Sequence, residues 1–344
     1  MGGIRRVTAA ALLLGLAAVA CGSGGSSGSS GPLTVHLGYF PNITHATALV
    51  GVSKGIFAKD LGSKVTLKTS TFNAGPAAVE AIFSGALDAT YVGPNPAINA
   101  WQKSHGQAVR IIAGATSGGA ALVVKPSINS AADLKGKKVA SPQLGNTQDV
   151  ALRAWLDRHG LKTDPQGGGD VSILPQENAQ TLDTFKAGQI DGAWVPEPWA
   201  SRLVLEGKGK VLVDEATLWP GGKYLTTELI VRTAFLKQHP DVVERLLKGH
   251  VDATAYVNQH PAEAQQAANA AIAQITGKPL SAAVVAAAWR NLTFTNDPLA
   301  STLRKEASDA ESVGLLQKVD LIGLVDVAPL NKVLDSAGEA KVQG

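Results

Sequence analysis

The chain predicts an α/β protein of two lobes, each a mixed sheet flanked by helices, with a ligand cleft between them. Three observations carry this. At 344 residues the chain is longer than one ordinary core organises. From Leu33 onward, short apolar runs alternate with helical stretches, the rhythm of sheets covered by helices. Finally, one segment occurs twice: GALDATYVGPNPA at Gly85–Ala97 and GQIDGAWVPEPWA at Gly188–Ala200. Both read Gly-x-[Leu/Ile]-Asp-[Ala/Gly]-x-[Tyr/Trp]-Val and run into a proline-rich turn that ends in Ala. Open α/β sheets bind ligands at the carboxyl ends of their strands, so two lobes built this way would turn those loops toward a common cleft.

The first residues read as a leader. Arg5 and Arg6 precede an apolar run, Val7–Ala20, too short and too rich in Ala to span a bilayer, so 1–20 is expected to be a signal peptide. Ala18, Val19 and Ala20 lead into Cys21, the only cysteine. Cys21 lacks an internal disulfide partner and reads as the lipidated first residue of a mature lipoprotein. With the GSGGSSGSSG run, 21–32 becomes a lipidated cysteine and flexible tether. The expected location is the extracytoplasmic face of the cell membrane, held by the N-terminal lipid. Without Arg5 and Arg6, 29 basic residues stand against 28 acidic ones. No basic tract occurs, so nucleic acid is not an expected partner.

LTVHLGYF reads as a strand and His45–Lys54 as a helix. In KVTLKTSTF, Thr66, Lys68 and Ser70 alternate with Val65, Leu67 and Thr69, a second strand. Gly75-Pro76 opens a helix through Phe83, with Pro76 at the first helical position, where a missing N–H is tolerated. ATYV, a helix over Pro96–Ser104 and the strand VRIIAGAT complete a first unit. ALVVK leads through Pro126 to SAADLKGKKVAS, a short helix, a turn and a strand. GNTQDVALRAWLDRHGL is an amphipathic helix with Val150, Leu152, Leu156 and Leu161 apolar. VSILPQ, a helix over Asn178–Ala187, GAWV and VLVDEA follow. TELIVRTAFLKQHPDVVERLL is a strand and a helix, and the Ala-rich remainder is expected to be almost wholly helical. Lobe 1 is expected over 33–125 and 226–344 and lobe 2 over 126–225, with hinges near Lys125–Ser127 and Lys223–Thr226.

Motifs for hydrolytic, nucleotide-binding or metal chemistry are missing: no HExxH, Cys/His cluster, GxGxxG, P-loop or Gly-x-Ser-x-Gly elbow. The seven histidines are scattered. No enzyme activity, cofactor or metal is expected; a bilobal metabolic enzyme would have only His45 and Glu197 to offer as reactive groups. The loops expected at the cleft are instead neutral and rich in Asn, Thr, Gln and Gly. Asn42 and His45 follow the first strand, Asn73 and Gly75 the second, and Pro94 and Asn95 the third. Gln143, Gly145, Asn146, Thr147 and Gln148 open the amphipathic helix, with Asn146 or Thr147 as N-cap and Asp149 as a capping-box-like partner. Glu197 and Trp199 close the set. Helix N-termini offer unpaired N–H groups and a partial positive charge, which suit an anion without Arg or Lys. Glu197 facing the cleft would suit a ligand ammonium; capping at the lobe surface, it would say nothing of the ligand. Trp199 stacks on a ligand tail or fills the lobe core.

Three segments in order, FNAGPAAVEAIFSGALDATYVGPNPAI, LGNTQDVALRAWL and AWVPEPWAS, resemble the substrate-binding components of ABC importers in the aliphatic sulfonate/taurine/nitrate family. The resemblance runs from about Leu33 into the C-terminal helices. It implies a two-lobe type II periplasmic-binding-protein fold that closes on a small anionic solute and hands it to an ABC permease and its ATPase, the binding protein itself being a monomer. Asn73-Ala74-Gly75-Pro76 and Gly145-Asn146-Thr147 resemble sulfonate binders. Leu144-Gly145-Asn146-Thr147-Gln148 stands where those proteins often carry Ser runs, so nitrate, bicarbonate, taurine or a pyrimidine precursor stay open as alternatives. A pyrimidine would want stacking aromatics, for which Tyr39, Phe40, Tyr91 and Trp199 are available.

Overall fold

The computed structural model describes residues 32–344; the expected signal peptide, Cys21 and the tether up to Gly31 lie outside the described residues. The chain opens with β1 (Leu33–Tyr39), α1 (Ala46–Ser53), α2 (Ile56–Leu61), β2 (Val65–Thr71), α3 (Gly75–Phe83), β3 (Ala89–Val92), α4 (Pro94–Lys103) and β4 (Val109–Gly118). It continues through β5 (Ala120–Val124), β6 (Lys138–Ser141), α5 (Thr147–Arg158), β7 (Ser172–Pro175), α6 (Asn178–Lys186), β8 (Gly192–Pro196), α7 (Trp199–Leu205) and β9 (Lys210–Asp214). It returns along β10 (Leu225–Arg232) to α8 (Thr233–Gln238), α9 (Pro240–Gln259), α10 (Pro261–Thr276), α11 (Ala282–Arg290), β11 (Leu292–Phe294), α12 (Ala300–Ser312) and α13 (Ala328–Ala337).

Two mixed sheets result, ordered β11-β4-β10-β3-β1-β2 and β7-β6-β8-β5-β9. They are copies of one plan. In the first, β1 runs parallel to β2 and β3 while β10 runs antiparallel to β3 and β4. In the second, β6 runs parallel to β7 and β8 while β5 runs antiparallel to β8 and β9. Thus β3 matches β8, and the antiparallel strand beside each is the one by which the chain arrives from the other sheet. Each sheet is covered on both faces. Val35, Leu37, Leu229 and Val231 pack under α1 and α9, and Ile111 and Ile230 under α3, α4 and α12. In the second lobe, Leu122, Val139 and Trp194 meet α5, while Val123, Ala193 and Val195 meet α6 and α7.

Three differences from the expected layout have local causes. The chain leaves the first sheet at Gly118 and enters the second at Ala120, ahead of the Lys125–Ser127 expected, because ALVVK pairs with β8 rather than extending the first sheet. Gly118 and Gly119 both have positive φ, 83° and 78°, a conformation that costs a side-chain-bearing residue free energy. A Cβ on Gly118 would also lie 2.6 Å from Asn291 O. The chain pairs with the first sheet again from Leu225. α4 starts at Pro94 rather than Pro96, since proline fits the first helical turn. The C-terminal region also contributes a strand, β11, paired on β4. Among the described residues no helix is long and apolar enough to cross a membrane.

Candidate functional site

The loops after β1, β2, β3, β6, β7 and β8 converge on a small cavity of about 20 Å³ between the lobes. Phe40, Asn42, Thr44, His45, Asn73, Ala74 and Gly93 line it from the first lobe, Pro142, Asn146, Thr147, Gln148, Asn178 and Pro196 from the second, and Thr226 from the returning strand. That volume admits about one or two water-sized groups. A wider pocket of about 650 Å³ adjoins it, sharing Asn42, Asn73 and Asn178 and adding Trp199 and Arg202.

The lobes are drawn together around this space by side-chain bonds from one to the other. Trp199 Nε1 donates to Asn42 Oδ1 at 2.8 Å, Asn73 Nδ2 to Glu177 Oε1 at 2.8 Å and Gly75 N to Asn146 Oδ1 at 3.2 Å. Gly93 is close to Thr147: a Cβ there would lie 2.4 Å from Thr147 Oγ1. Asn146 thus spends its oxygen on the opposite lobe and its Nδ2 on Gln148 Oε1, at 2.8 Å, and caps nothing with its side chain. Asp149 is not its capping-box partner. Asp149 instead accepts from Gly145 N at 3.0 Å, Ser141 Oγ at 2.6 Å and Arg153 Nε at 3.1 Å, a buried network that fixes the start of α5 from within the lobe. The first N–H groups of α5, on Thr147 and Gln148, have no intrahelical acceptor, and the buried Thr147 Oγ1 is without a partner. Unpaired donors at the start of α5 thus belong to residues that line the cavity.

His45 lies opposite in the first lobe. Its Nδ1 accepts from Phe40 N at 3.3 Å, which places the proton of the neutral ring on Nε2. The Phe40 ring lies against it, tilted by 31° with centroids 4.3 Å apart. Burial lowers its pKa to about 3, so His45 is an uncharged donor at neutral pH. The lining contains no Lys, Arg, Asp or Glu. A small anion here would meet only dipoles and hydrogen-bond donors.

Of the residues expected at the site, Asn42, His45, Asn73, Asn146, Thr147 and Gln148 line the cavity; Gly75, Pro94, Asn95, Gln143, Gly145, Glu197 and Trp199 do not. Gly75 lies against Pro96, where a Cβ would approach Pro96 Cγ to 2.3 Å. Pro94 and Pro96 deprive the first turn of α4 of N–H groups, and Asn95 turns away to donate from Nδ2 to Glu306 O at 3.1 Å. Gln143 accepts from Asn146 N through its backbone carbonyl at 3.0 Å, and Gly145, at φ 74°, shapes the turn. Glu197 is 1% exposed and faces α7, accepting from Ser201 N and Oγ at 3.0 and 2.9 Å and from Asn291 Nδ2 at 2.7 Å. Burial raises its pKa against these bonds. Trp199 belongs to the adjoining pocket, with the Arg202 guanidinium 4.8 Å from its ring. Pro142, Asn178 and Thr226 were not anticipated. Asn178 opens α6 after β7 as Asn73 precedes α3 after β2, so the matching of the two sheets is the signal that finds it.

A model of the NMT1-like family matches residues 28–273. The taurine-binding periplasmic protein of Escherichia coli (strain K12) is 31% identical over 207 residues, 60% of this chain and 61% of that protein, so the likeness spans under two thirds of the relative. Among solved structures, the alkanesulfonate-binding protein SsuA from Xanthomonas axonopodis pv. citri, bound to MOPS, superposes with a TM-score of 0.72 at 21% identity, over 87% of this chain and 99% of that one. The periplasmic nitrate-binding protein NrtA from Synechocystis PCC 6803 gives 0.75 at 16% identity, over 88% of both. The two-lobe fold of periplasmic binding proteins is common to all three structures.

Proposed function

Because the chain belongs to the NMT1-like family, we propose that it is the extracytoplasmic solute-binding component of an ABC importer and closes on a small oxyanion, an aliphatic sulfonate. It releases its solute to a permease driven by an ATPase and carries out no reaction. Lipidation at Cys21 keeps it at the outer face of the membrane, and it works as a monomer. The observation that carries this reading is the neutral, donor-lined cavity at the start of α5, closed by bonds between the lobes and free of acidic groups.

A sulfonate head occupies the small cavity, where Thr147 and Gln148 N–H, Thr147 Oγ1, His45 Nε2 and the Asn42 and Asn178 side-chain amides are its donors; its organic part extends toward the pocket at Trp199. Each hydrogen bond to a charged group contributes about 1.5–3 kcal/mol, and micromolar affinity corresponds to about 8 kcal/mol, so three to five such bonds suffice. Glu197, bound by Ser201 and Asn291 away from the cavity, offers no partner to a ligand ammonium, which removes one argument for taurine. The size of the cavity favours a second reading, nitrate or bicarbonate, which need no room for a tail.

Isothermal titration of the full chain with methanesulfonate, longer alkanesulfonates, taurine, nitrate, bicarbonate and pyrimidines separates these. Alkanesulfonates should bind in the micromolar range, and Thr147→Val should weaken them about tenfold or more, the equivalent of about 1.4 kcal/mol. Binding of nitrate or bicarbonate alone would replace the ligand and keep the site. Binding of any ligand with full strength in Thr147→Val would remove the site.

A further inference from the structure

Three carboxyl groups are buried along one flank of the cleft. Glu228 of β10 is 0% exposed, Glu215 in the turn after β9 is 1% and Glu306 of α12 is 3%. Neither oxygen of Glu228 has a hydrogen-bond partner, nor does Oε1 of Glu306 or Oδ1 of the neighbouring Asn95. All four are acceptors, and buried acceptors without donors cost free energy. Among the described residues, no three His, Cys, Asp or Glu side chains are arranged to share a metal ion. A protonated carboxyl group carries an O–H donor of its own.

The group is shared between the lobes. Glu228 and Glu306 belong to the first lobe and Glu215 to the second, where its Oε2 accepts from Trp194 Nε1 at 2.6 Å. α12 is the element that meets the second lobe here. Arg158 Nη1 of α5 donates to Asp309 Oδ1 at 2.9 Å, and Lys305 Nζ, 2.5 Å from Asp309 Oδ2, lies 4.3 Å from the centre of the Trp219 ring. Trp219 stacks on Tyr224, centroids 5.5 Å apart, and the Tyr224 hydroxyl accepts from Ala120 N at 3.0 Å, next to both crossings between the sheets.

Glu215 is acted on by groups from both lobes, Glu306, Lys305 and Asp309 of α12 and Trp194, Trp219 and Tyr224 on its other sides. Burial drives its pKa up to about 7; bonds from Trp194 and Trp219 and the charge of Lys305 act against this, and Asp309 adds to it. Glu306 is raised well above the ordinary carboxylate range by burial, then by Glu215 and Asp309, against Lys305, with Glu228 adding a little more. Burial alone raises Glu228. Tyr224 is pushed up by burial and by Glu215, Asp214 and Glu306.

We propose that this flank is a proton-held latch: α12 stays seated on the second lobe while Glu215 and Glu306 face each other uncharged, and loss of the Glu215 proton loosens the seat and favours opening of the cleft. The inference rests on the packing of the two lobes and not on which solute the cavity takes. An ionised Glu215 faces a desolvated neighbour and a second carboxyl group, whereas in an opened cleft water solvates it. Closure and proton binding are therefore linked, and a group titrating at about 7 in the closed form and in the ordinary carboxylate range in the open form weakens closure about tenfold between about pH 6 and 8.

Amide hydrogen exchange of the ligand-free full chain tests this, with α5 read against α9 and corrected for intrinsic exchange. Relative protection of α5 should fall about tenfold from about pH 6 to 8 in the natural protein and stay level in Glu215→Gln. Lys305→Met removes a cation that favours the ionised form, so the transition should move to higher pH; this variant decides the matter where Glu215→Gln does not fold. Constant protection in the natural protein, an unchanged fall in Glu215→Gln, or an unmoved midpoint in Lys305→Met would each overturn the latch.

Discussion

The repeated segments of β3 and β8 do one thing identically and another quite differently. Each begins at a glycine with positive φ, Gly85 at 75° and Gly188 at 72°, which ends a helix and turns the chain into the strand. Each then sets an Asp at the strand start. Asp88 N donates to His36 O and its carboxylate accepts from His36 N, at 2.9 Å in both cases. Asp191 N donates to Lys138 O at 2.8 Å and its carboxylate accepts from Lys138 N at 3.0 Å. The antiparallel neighbour completes the clamp: Arg232 gives its N–H to Asp88 O and its guanidinium to Oδ1, both at 2.8 Å. Lys125 does the same for Asp191, both at 2.9 Å. At the far end the copies part. β3 runs into Pro94-Asn95-Pro96, which packs on α12; β8 runs into Pro196-Glu197-Pro198, which is bound to α7 and Asn291. The two copies share the fastening of the sheets and differ in the loops that follow the strands.

The sharpest way to break that comparison is to remove the aspartates. Asp88 is 8% exposed at its side chain and Asp191 is 22%, so the same clamp operates in two degrees of contact with water. Asp88→Ala strands a buried N–H and the Arg232 guanidinium and should cost about 3 kcal/mol. Asp191→Ala, where water replaces part of what is lost, should cost about 1–2 kcal/mol. Denaturant midpoints of the two variants check this. Equal losses, or a larger one for Asp191, would show that the clamp is not what the repeat conserves.

A second contrast concerns what each lobe buries. The first lobe holds two neutral imidazoles: His45, lowered by burial to about 3, and His250, lowered to about 4 by burial against a bond to the Gly114 backbone. Tyr91 links them, its hydroxyl 2.7 Å from His250 Nδ1. The second lobe holds Glu215, raised to about 7 by burial. The signs oppose. An unfolded histidine takes up a proton below about 6.5, so a buried neutral one contributes stability above that pH and loses it as the pH falls toward its folded value. Glu215 stays protonated when folded, so its contribution is present below the unfolded carboxylate value and is lost as the pH rises toward about 7. Between about pH 4.5 and 6.5, the stability of His250→Gln relative to the natural protein should grow by about 1.4 kcal/mol per pH unit of acidification. That of Glu215→Gln should grow by about as much per unit of alkalinisation. Urea unfolding at several pH values measures both, and slopes of the same sign would undo the assignment.

The sheets were legible because alternation and helix starts are local signals: Val35, Leu37 and the Asn146-Thr147 start of α5 stand where the pattern puts them. So was the architecture of the cleft, since Gly-x-[Leu/Ile]-Asp marks both central strands. What each cleft loop does was only partly legible, because a side chain's direction is settled by partners far away. Asn95 is turned by Glu306 and Glu197 is held by Asn291 as well as by Ser201, while Asp149 is held by Arg153 within a turn of helix. Thr226 enters the site because β10, the strand that returns from the second lobe, begins beside it. The same holds for β5: read alone, ALVVK is a strand, and only its pairing with β8 assigns it to the second sheet.

The smallest predicted effect tests whether the two turns are mechanically equal. Gly85 and Gly188 end α3 and α6 with nearly the same φ, and no atom lies within 4 Å of where a Cβ would stand at either. With steric contact absent, alanine costs only the strain of the left-handed conformation, about 1 kcal/mol. Gly85→Ala and Gly188→Ala should therefore lower stability by the same amount. The sites stand in different sheets and share no partner, so the double variant should show the sum, about 2 kcal/mol, within about 0.5 kcal/mol. A shortfall beyond that margin would couple the two turns through the lobe interface; unequal single losses would mean that one turn carries strain that its φ does not reveal. Thermal unfolding of the three variants beside the natural chain distinguishes these outcomes, because the changes are local and leave the cavity between the lobes untouched.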